Sequence, residues 1–285
     1  MPKAPPGGSP PPRGSRGQET DPSPSSRPAA YDPGHPPRSL PLMASQWQNF
    51  LQNEGVWLGS FASLTPAGEL LSETPSLLSL QSAEEGRLVR FRLRRYGPEG
   101  RDGPPSSDHQ QDYRSLGRQV VFFDSGAFSK GTMQVAPGST FGVETGFVAG
   151  DRRHRLVQLF DAAGQADQLV LIREFRLGSE AIERPPLRAD QLAGSWQGET
   201  ATVTADWPEA DRQSCASTFS PADLTDVVCL ADGGYCRRPA QVSHRQAFTV
   251  EAGWLLAPDR LERLIRCYDG SGAWLSSRHE SLHRC

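Results

Sequence analysis

The segments RLVQLFDAAG (155–164) and RLIRCYDGSG (263–272) decide the fold, because they show that one pattern occurs twice in the chain. Arginine, leucine, aspartate and glycine fill the same positions in both, and an aromatic residue precedes each aspartate. Upstream, FGVETGF (141–147) aligns with FTVEAGW (248–254). The offset stays at 106–108 residues over about 50 residues of sequence, which chance matches rarely do.

The two copies also begin alike, since GVWLGSF (55–61) and GSWQGET (194–200) share a central Trp-x-Gly. The repeated unit is far longer than the ~20–50 residues of solenoid repeats, so it indicates a duplicated domain. ERPPLRADQ (183–191) is a plausible linker. We therefore predict a first domain over residues 43–182 and a second over residues 183–285.

Each copy is rich in short strands. RLVRFRLRRY (87–96) alternates apolar residues with arginine, which is typical of a strand, and FDAAGQ and YDGSGA are typical hairpin turns. Residues 44–54 form the one good helix candidate, with Ser45 as its cap. About eight strands of this size close a barrel. The predicted fold is all-β: two tandem antiparallel β-barrels with a short N-terminal helix.

Residues 1–42 differ in composition from the rest, because they hold 13 of the 25 prolines and a single aromatic residue. We expect them to be disordered, and we expect Met43 to be the native start. They carry a net charge of +2, which leaves −5 for the rest and argues against nucleic-acid binding. No apolar run reaches the ~18–20 residues of a membrane span. The five cysteines show no Cys-x-x-Cys spacing, which favours free thiols and a cytoplasmic location.

The Trp-x-Gly motifs resemble the signature of the lipocalin and calycin proteins, in which an arginine packs across the tryptophan. Here the tryptophans would be Trp57 and Trp196. The arginine candidates are Arg173 or Arg176 in the first copy, and Arg278 or Arg284 in the second. The segments WQNFLQNEGVWLGSF, FSKG, FGVETGFVAGDRRHRLV and LVLIRE further resemble a lipocalin-like cyanobacterial family of unknown function, over residues 44–285. The same fold group includes the bilin chromophore lyases of phycobiliproteins.

The densest charge cluster, DRRHR (151–155), lies between two predicted strands. It is either a solvated turn or an anion clamp at the mouth of the first barrel. We predict a clamp for a small apolar ligand with a charged end, either a tetrapyrrole such as a bilin or a fatty-acid-like molecule. The predicted ligand-binding residues are the arginines Arg152, Arg153 and Arg173, the carboxylate Glu144, and the apolar side chains Phe141, Phe147 and Leu171.

Three functions stay open at this point: a ligand carrier, a chromophore lyase with a phycobiliprotein as partner, and a purely structural pair of barrels. Arg173 could instead close the barrel against Trp57, and Glu144 could be structural because Glu251 repeats it. The sequence contains no phosphate loop, no Gly-x-Ser-x-Gly and no His-Glu-x-x-His, so we predict no catalytic residues. His279 and His283 lack a convincing ligand spacing, so we predict no metal site.

Overall fold

The computed structural model describes residues 45–207 and 209–285, so the predictions for residues 1–42 and for Met43 lie outside the described residues. The elements are the helix α1 (Gln46–Leu51) and the strands β1 (Gly55–Leu64), β2 (Leu70–Ala83), β3 (Leu88–Tyr96), β4 (Pro105–Tyr113), β5 (Val120–Phe122), β6 (Phe128–Gly131), β7 (Phe141–Ala149), β8 (Arg152–Phe160), β9 (Ala166–Arg176), β10 (Gly194–Thr204), β11 (Asp211–Phe219), β12 (Val228–Cys229), β13 (Gly234–Arg237), β14 (Phe248–Ala257), β15 (Arg260–Tyr268) and β16 (Trp274–Arg284). Short 3₁₀ turns span Gly100–Asp102, Ala189–Leu192, Pro221–Leu224 and Ala231–Gly233.

The helix α1 begins where the sequence predicted a cap. The Ser45 hydroxyl accepts a hydrogen bond from the Gln48 backbone N–H at 3.2 Å, and the Gln48 side chain accepts one from the Ser45 N–H at 2.8 Å. This reciprocal pair satisfies two of the free donors at the helix N-terminus. The helix is shorter than the predicted 44–54, because the chain turns at residues 52–54 and enters β1 at Gly55.

All sixteen strands belong to two antiparallel sheets. The first sheet has the order β4-β3-β2-β1-β9-β8-β7-β6-β5, and the second has the order β11-β10-β16-β15-β14-β13-β12. In each sheet, the first strand of the copy is hydrogen-bonded to its last strand: β1 to β9, and β10 to β16. This pairing makes the sheet curl. The orders are equivalent, and the second sheet lacks counterparts of β3 and β4. The fold is all-β, with two antiparallel lipocalin-like barrels and one short helix, as predicted.

The two Trp-x-Gly motifs occupy equivalent positions. Trp57 pairs with Arg176 across β1 and β9, and Trp196 pairs with Arg284 across β10 and β16. The guanidinium carbon lies 4.4 Å from the indole centroid in the first barrel and 4.2 Å in the second. Both tryptophans are completely buried. Arg176 and Arg284 are therefore the cation–π partners of the two tryptophans, and Arg173 and Arg278 are not.

The largest hydrophobic core lies between the two barrels rather than inside either one. Outward-facing side chains of both sheets meet there, and Phe141 and Phe248 contact each other edge to face at 5.5 Å. Smaller clusters fill the interior of each barrel. The two barrels therefore share one core. The boundary at residue 182 stays a prediction.

No helix within residues 45–207 and 209–285 is long and apolar enough to cross a membrane. All five cysteines are free thiols. The cytoplasmic location stays a prediction.

Candidate functional site

The interior of the first barrel contains a cavity of about 300 Å³ that opens to solvent. Its walls come from α1, from β2 to β8 and from the loop between β4 and β5. The apolar wall is formed by Phe50, Leu78, Leu80, Phe91, Phe122 and Phe128. The polar groups include Asn53, Tyr113, Lys130, Glu144, Arg153 and Arg155. An apolar chamber with a few polar groups has the composition of a ligand site.

Because side chains alternate along a strand, the charged residues of β8 are divided between the two faces of the sheet. Arg153 is paired with Glu174 of β9 in the sheet register, and both face the interior. Arg155, two residues on, faces the same way, because side chains alternate along a strand. His154 lies between them and points to the second barrel, where it stacks on Trp254 at 5.5 Å. One charge-rich segment therefore supplies both the cavity and the contact between barrels.

The polar group of the cavity is built around a buried carboxylate. Glu174 is completely inaccessible to solvent, and its carboxylate lies 3.1 Å from Arg153 Nη1 and 3.8 Å from Arg155 Nε. Arg155 Nε also lies 3.6 Å from Glu144. Burial lowers the pKa of Arg153 to about 10, so its guanidinium remains charged at neutral pH. Burial opposes the charge of Arg155 as well, but Glu174 and Glu144 outweigh burial and raise its pKa.

These ion pairs are close, but they are not aligned as hydrogen bonds. Among the described residues, no hydrogen-bond partner is found for Arg153 Nε and Nη1, for Arg155 Nε, for either oxygen of Glu174 or for Asn53 Oδ1. Buried polar atoms in folded proteins are almost always satisfied by protein, water or a bound molecule. Arg153 and Arg155 therefore bring guanidinium groups with incomplete hydrogen bonding to the cavity wall, whereas the Glu174 carboxylate pairs with them outside that wall.

The second barrel contains the same three charges in a closed arrangement. Arg263 Nη2 lies 3.2 Å from Glu251, and Arg263 Nη1 lies 2.8 Å from Glu280. Two further hydrogen bonds complete the cluster: Tyr235 donates to Glu251 at 3.0 Å, and Arg263 donates to the Ser217 hydroxyl at 2.9 Å. Protein groups alone thus satisfy the counterpart of the first cluster.

Three substitutions distinguish the two clusters, and one of them places Leu261 in the second barrel where the first has Arg153. The strand register aligns Tyr235 with Phe128 and Ser217 with Leu78. The first barrel therefore has apolar rings and methyl groups where the second has hydroxyls. Its cluster of Glu144, Arg155 and Glu174 therefore adjoins the cavity and is not completed by hydroxyl groups of the described residues.

Of the predicted ligand-binding residues, Arg153 and Glu144 line this cavity. Arg152 does not, because it faces the second barrel, where it forms an ion pair with Asp232 and lies 5.0 Å from the Trp254 ring centroid. It therefore belongs to the contact between the barrels. That Arg153 and Glu144 bind a ligand stays a prediction.

Arg173 lies on the outer face of β9, where it forms ion pairs with Glu73 and with Glu183, the latter at 2.5 Å. It cannot meet a ligand inside the barrel, because Glu174 takes the inward position. The expected contact of Arg173 with Trp57 is replaced by that of Arg176.

The three predicted apolar residues also face outward. Phe141, Phe147 and Leu171 are 3%, 2% and 1% exposed and belong to the core between the barrels. Their expected place in the cavity wall is wrong, because β7 carries its large aromatic residues on its outer face and β9 carries apolar residues on both faces. The residues that the sequence reasoning missed are Arg155 and Glu174. Arg155 lies two residues after Arg153 on the same strand, so strand alternation would have predicted that it also faces the interior.

Within the described ranges, no three His, Cys, Asp or Glu side chains lie together in a way that could hold a metal ion.

No curated protein is significantly similar to the chain. Two solved structures share only 12% and 11% identity with it: Rv2717c from M. tuberculosis, with a TM-score of 0.22, and the S-type phycobiliprotein lyase CPES from Guillardia theta, with a TM-score of 0.18. Each alignment covers 85% of this chain, and 99% and 93% of those chains. Likeness at this level carries no argument about function.

Two domain families match parts of the chain. Residues 43–179 match the family described as "Domain of unknown function (DUF3598), N-terminal", and residues 217–283 match "Biogenesis factor required for ATP synthase 1, C-terminal domain". A DUF3598 protein of unknown function from Nostoc punctiforme is 35% identical, with a TM-score of 0.75, and the alignment covers 85% of this chain and all of that one. The chain belongs to the DUF3598 family.

Proposed function

We propose that the first barrel binds a small, largely apolar molecule that ends in a carboxylate. The observation that carries the proposal is that Arg153 and Arg155 line the cavity with incomplete hydrogen bonding among the described residues. In the second barrel, Tyr235 and Ser217 complete the network around Arg263, the counterpart of Arg155. A carboxylate offers the acceptors that the two guanidinium groups lack, and arginine pairs with carboxylates in a planar, bidentate geometry.

The charges around the cavity favour an anion with one charge. Three bases, Lys130, Arg153 and Arg155, line the cavity with Glu144. Glu174 pairs with Arg153 beside it, which leaves an excess of one positive charge. In a partly desolvated site such an excess acts more strongly than it would in water.

The size of the cavity favours a slender ligand. Its volume of about 300 Å³ is at the lower end of the range of small-molecule sites. A fatty-acid-like chain suits this volume, whereas a tetrapyrrole would extend through the mouth. Binding of a bilin, and its delivery to a phycobiliprotein, stay predictions from the sequence resemblance.

Titration calorimetry of the full chain with decanoate, haem and biliverdin tests the proposal. We expect decanoate to bind, and we expect Arg153→Gln and Arg155→Gln each to weaken binding ten- to a hundred-fold, because each removes a charged hydrogen bond worth about 1.5–3 kcal/mol. Arg173→Gln is the matched control: the same substitution on the outer face of the same barrel should leave the affinity unchanged. Equal loss in all three variants, or no binding by the wild type, would contradict the proposal.

A second candidate function is a role in assembling ATP synthase, and it is favoured by the match of residues 217–283 to the biogenesis-factor domain. The proposed activity would lie in a protein contact and would not need the cavity. Deleting the gene in its host and measuring the amount of assembled ATP synthase on native gels tests it. A loss of assembled complex that is restored equally by the wild type and by Arg155→Gln would favour this role over ligand binding.

A further inference from the structure

The two barrels pack together through equivalent surfaces, like the subunits of a two-fold dimer. The Val135 N–H donates to the Gly272 carbonyl at 2.8 Å, and the equivalent Val242 N–H donates to the Gly164 carbonyl at 2.9 Å. Each region of this interface therefore has a counterpart on the other side of the approximate axis. In one such pair the two regions differ. The linker between the barrels fills the first region, and among the described residues the second region is open.

The filled region shows how this surface holds an extended segment. The backbone N–H of Arg184, in the linker, donates to the Asp232 carboxylate at 2.8 Å. The guanidinium of Arg184 donates to the backbone carbonyls of Leu255 and Leu256, at the end of the hairpin formed by β14 and β15. A single arginine thus donates to two backbone carbonyl oxygens at the end of one hairpin.

The counterpart is a cleft of about 530 Å³ between the barrels, which we call the inter-barrel cleft. The strand register aligns Val148 with Leu255, and the sequence repeat aligns Ser125 with Asp232 in the loops before β6 and β13. Both Ser125 and Val148 line the cleft. The β14–β15 hairpin is one residue longer than the β7–β8 hairpin, so Leu256 has no counterpart in the first barrel. No segment of residues 45–207 or 209–285 fills this side, and the hairpin of β7 and β8 presents its end to the cleft.

The charges of the inter-barrel cleft favour a cation. Its charged residues are the acids Asp124, Glu199 and Glu262, the bases Arg212 and Arg260, and His279. Asp124 forms an ion pair with Arg212, and Glu262 lies 2.7 Å from His279. With His279 neutral, the formal charge is −1. Glu199 is exposed and forms no ion pair within the described part of the chain, so its carboxylate is free to meet an incoming cation.

We propose that the inter-barrel cleft binds an extended, arginine-bearing segment of a partner protein. The guanidinium would lie at the end of the β7–β8 hairpin, as Arg184 does at the end of the β14–β15 hairpin, with Glu199 and Glu262 balancing its charge. Arginine suits the site better than lysine, because its planar fork can meet two oxygens at once.

A short peptide that copies the linker is the probe. Acetyl-Ala-Arg-Pro-Pro-Leu-amide, which carries the residues of 184–187, is titrated into the full chain by calorimetry, beside versions with lysine or alanine in place of arginine. We expect the arginine peptide to bind at least about ten-fold more tightly than the others, and Glu199→Gln and Glu262→Gln each to weaken it about ten-fold. Glu85→Gln, in the exposed turn between β2 and β3, should leave the affinity unchanged.

Three results of the peptide titration would overturn the proposal. They are no binding at about 1 mM peptide, equal binding of the alanine peptide, and binding that survives both substitutions in the cleft. A second copy of the chain as occupant would appear as a dimer that Glu199→Gln dissociates, without peptide binding, and this too would overturn it. Glu199 is exposed, so its substitution tests the site without disturbing the fold.

Discussion

Arg155 and Arg263 are equivalent residues in a duplicated fold, and their surroundings differ in two hydroxyl groups and in Arg153, whose counterpart is Leu261. Around Arg263, Tyr235 and Ser217 complete a closed network. Around Arg155, the corresponding positions are apolar and a cavity adjoins the charges. Buried charges are costly unless they are fully paired, so the open cluster is the one that would gain most from a ligand.

Phe128→Tyr should close the first barrel in the way that Tyr235 closes the second. The added hydroxyl would reach the Glu144–Arg155 pair and occupy part of the cavity, so we expect decanoate affinity to fall about ten-fold. Titration calorimetry of the variant and of the wild type checks this. Phe122→Tyr, at a neighbouring wall position without that counterpart, is the control. An unchanged affinity in Phe128→Tyr would speak against the comparison between the barrels.

His154 should make the protein less stable as the pH falls. Burial, together with the charges of Arg152, Arg173 and Arg184, lowers its pKa from 6.5 to about 3. The native state therefore resists protonation, whereas the unfolded state takes up a proton below pH 6.5. The stabilisation is fully present above pH 6.5 and is lost progressively towards pH 3. At pH 5 the loss from this residue is about 2 kcal/mol.

Urea unfolding between pH 7 and pH 5 measures this effect. His154→Phe keeps an aromatic ring against Trp254 and removes the titration, so its free energy of unfolding should fall less steeply over this range than that of the wild type. Identical slopes would show that His154 does not titrate in this way.

At the scale of elements, strands β8 and β9 explain what the sequence could and could not predict. The hairpin turns, the strand pairs and the capped helix follow from local patterns, and these predictions are confirmed. Alternation also showed that Arg173 and Glu174 point to opposite faces. It could not show which face is the interior, because the outer face of the first barrel is covered by the second and is equally apolar.

Close packing between elements makes Gly234 a sensitive position. A β-carbon there would collide with the His154 ring, where β13 meets β8. We expect Gly234→Ala to lower the free energy of unfolding by about 1–3 kcal/mol, a typical cost of overpacking. Gly97→Ala is a matched control, since no atom lies within 4 Å of its β-carbon position. Chemical denaturation of both variants measures the difference. An equally small effect at both positions would contradict the tight contact.

At the scale of the whole molecule, the shared core should make the two barrels unfold together. The largest hydrophobic cluster draws on both sheets, and the linker is fixed to the second barrel through Arg184. We therefore expect one calorimetric transition, with the calorimetric and van't Hoff enthalpies equal. Phe141→Ala, in the shared core, should lower the melting temperature of that single transition. Two separate transitions would show that the barrels are independent.

The duplicated architecture leaves one barrel open and the other closed, and the place where a ligand lies tests this directly. A crystal structure of the full chain grown with brominated decanoate would locate the bromine by its anomalous signal. The expected result is one molecule in the first barrel, with its carboxylate on Arg153 and Arg155 and the second barrel empty. A ligand inside the second barrel, or an empty first barrel at saturating ligand, would contradict the proposed function.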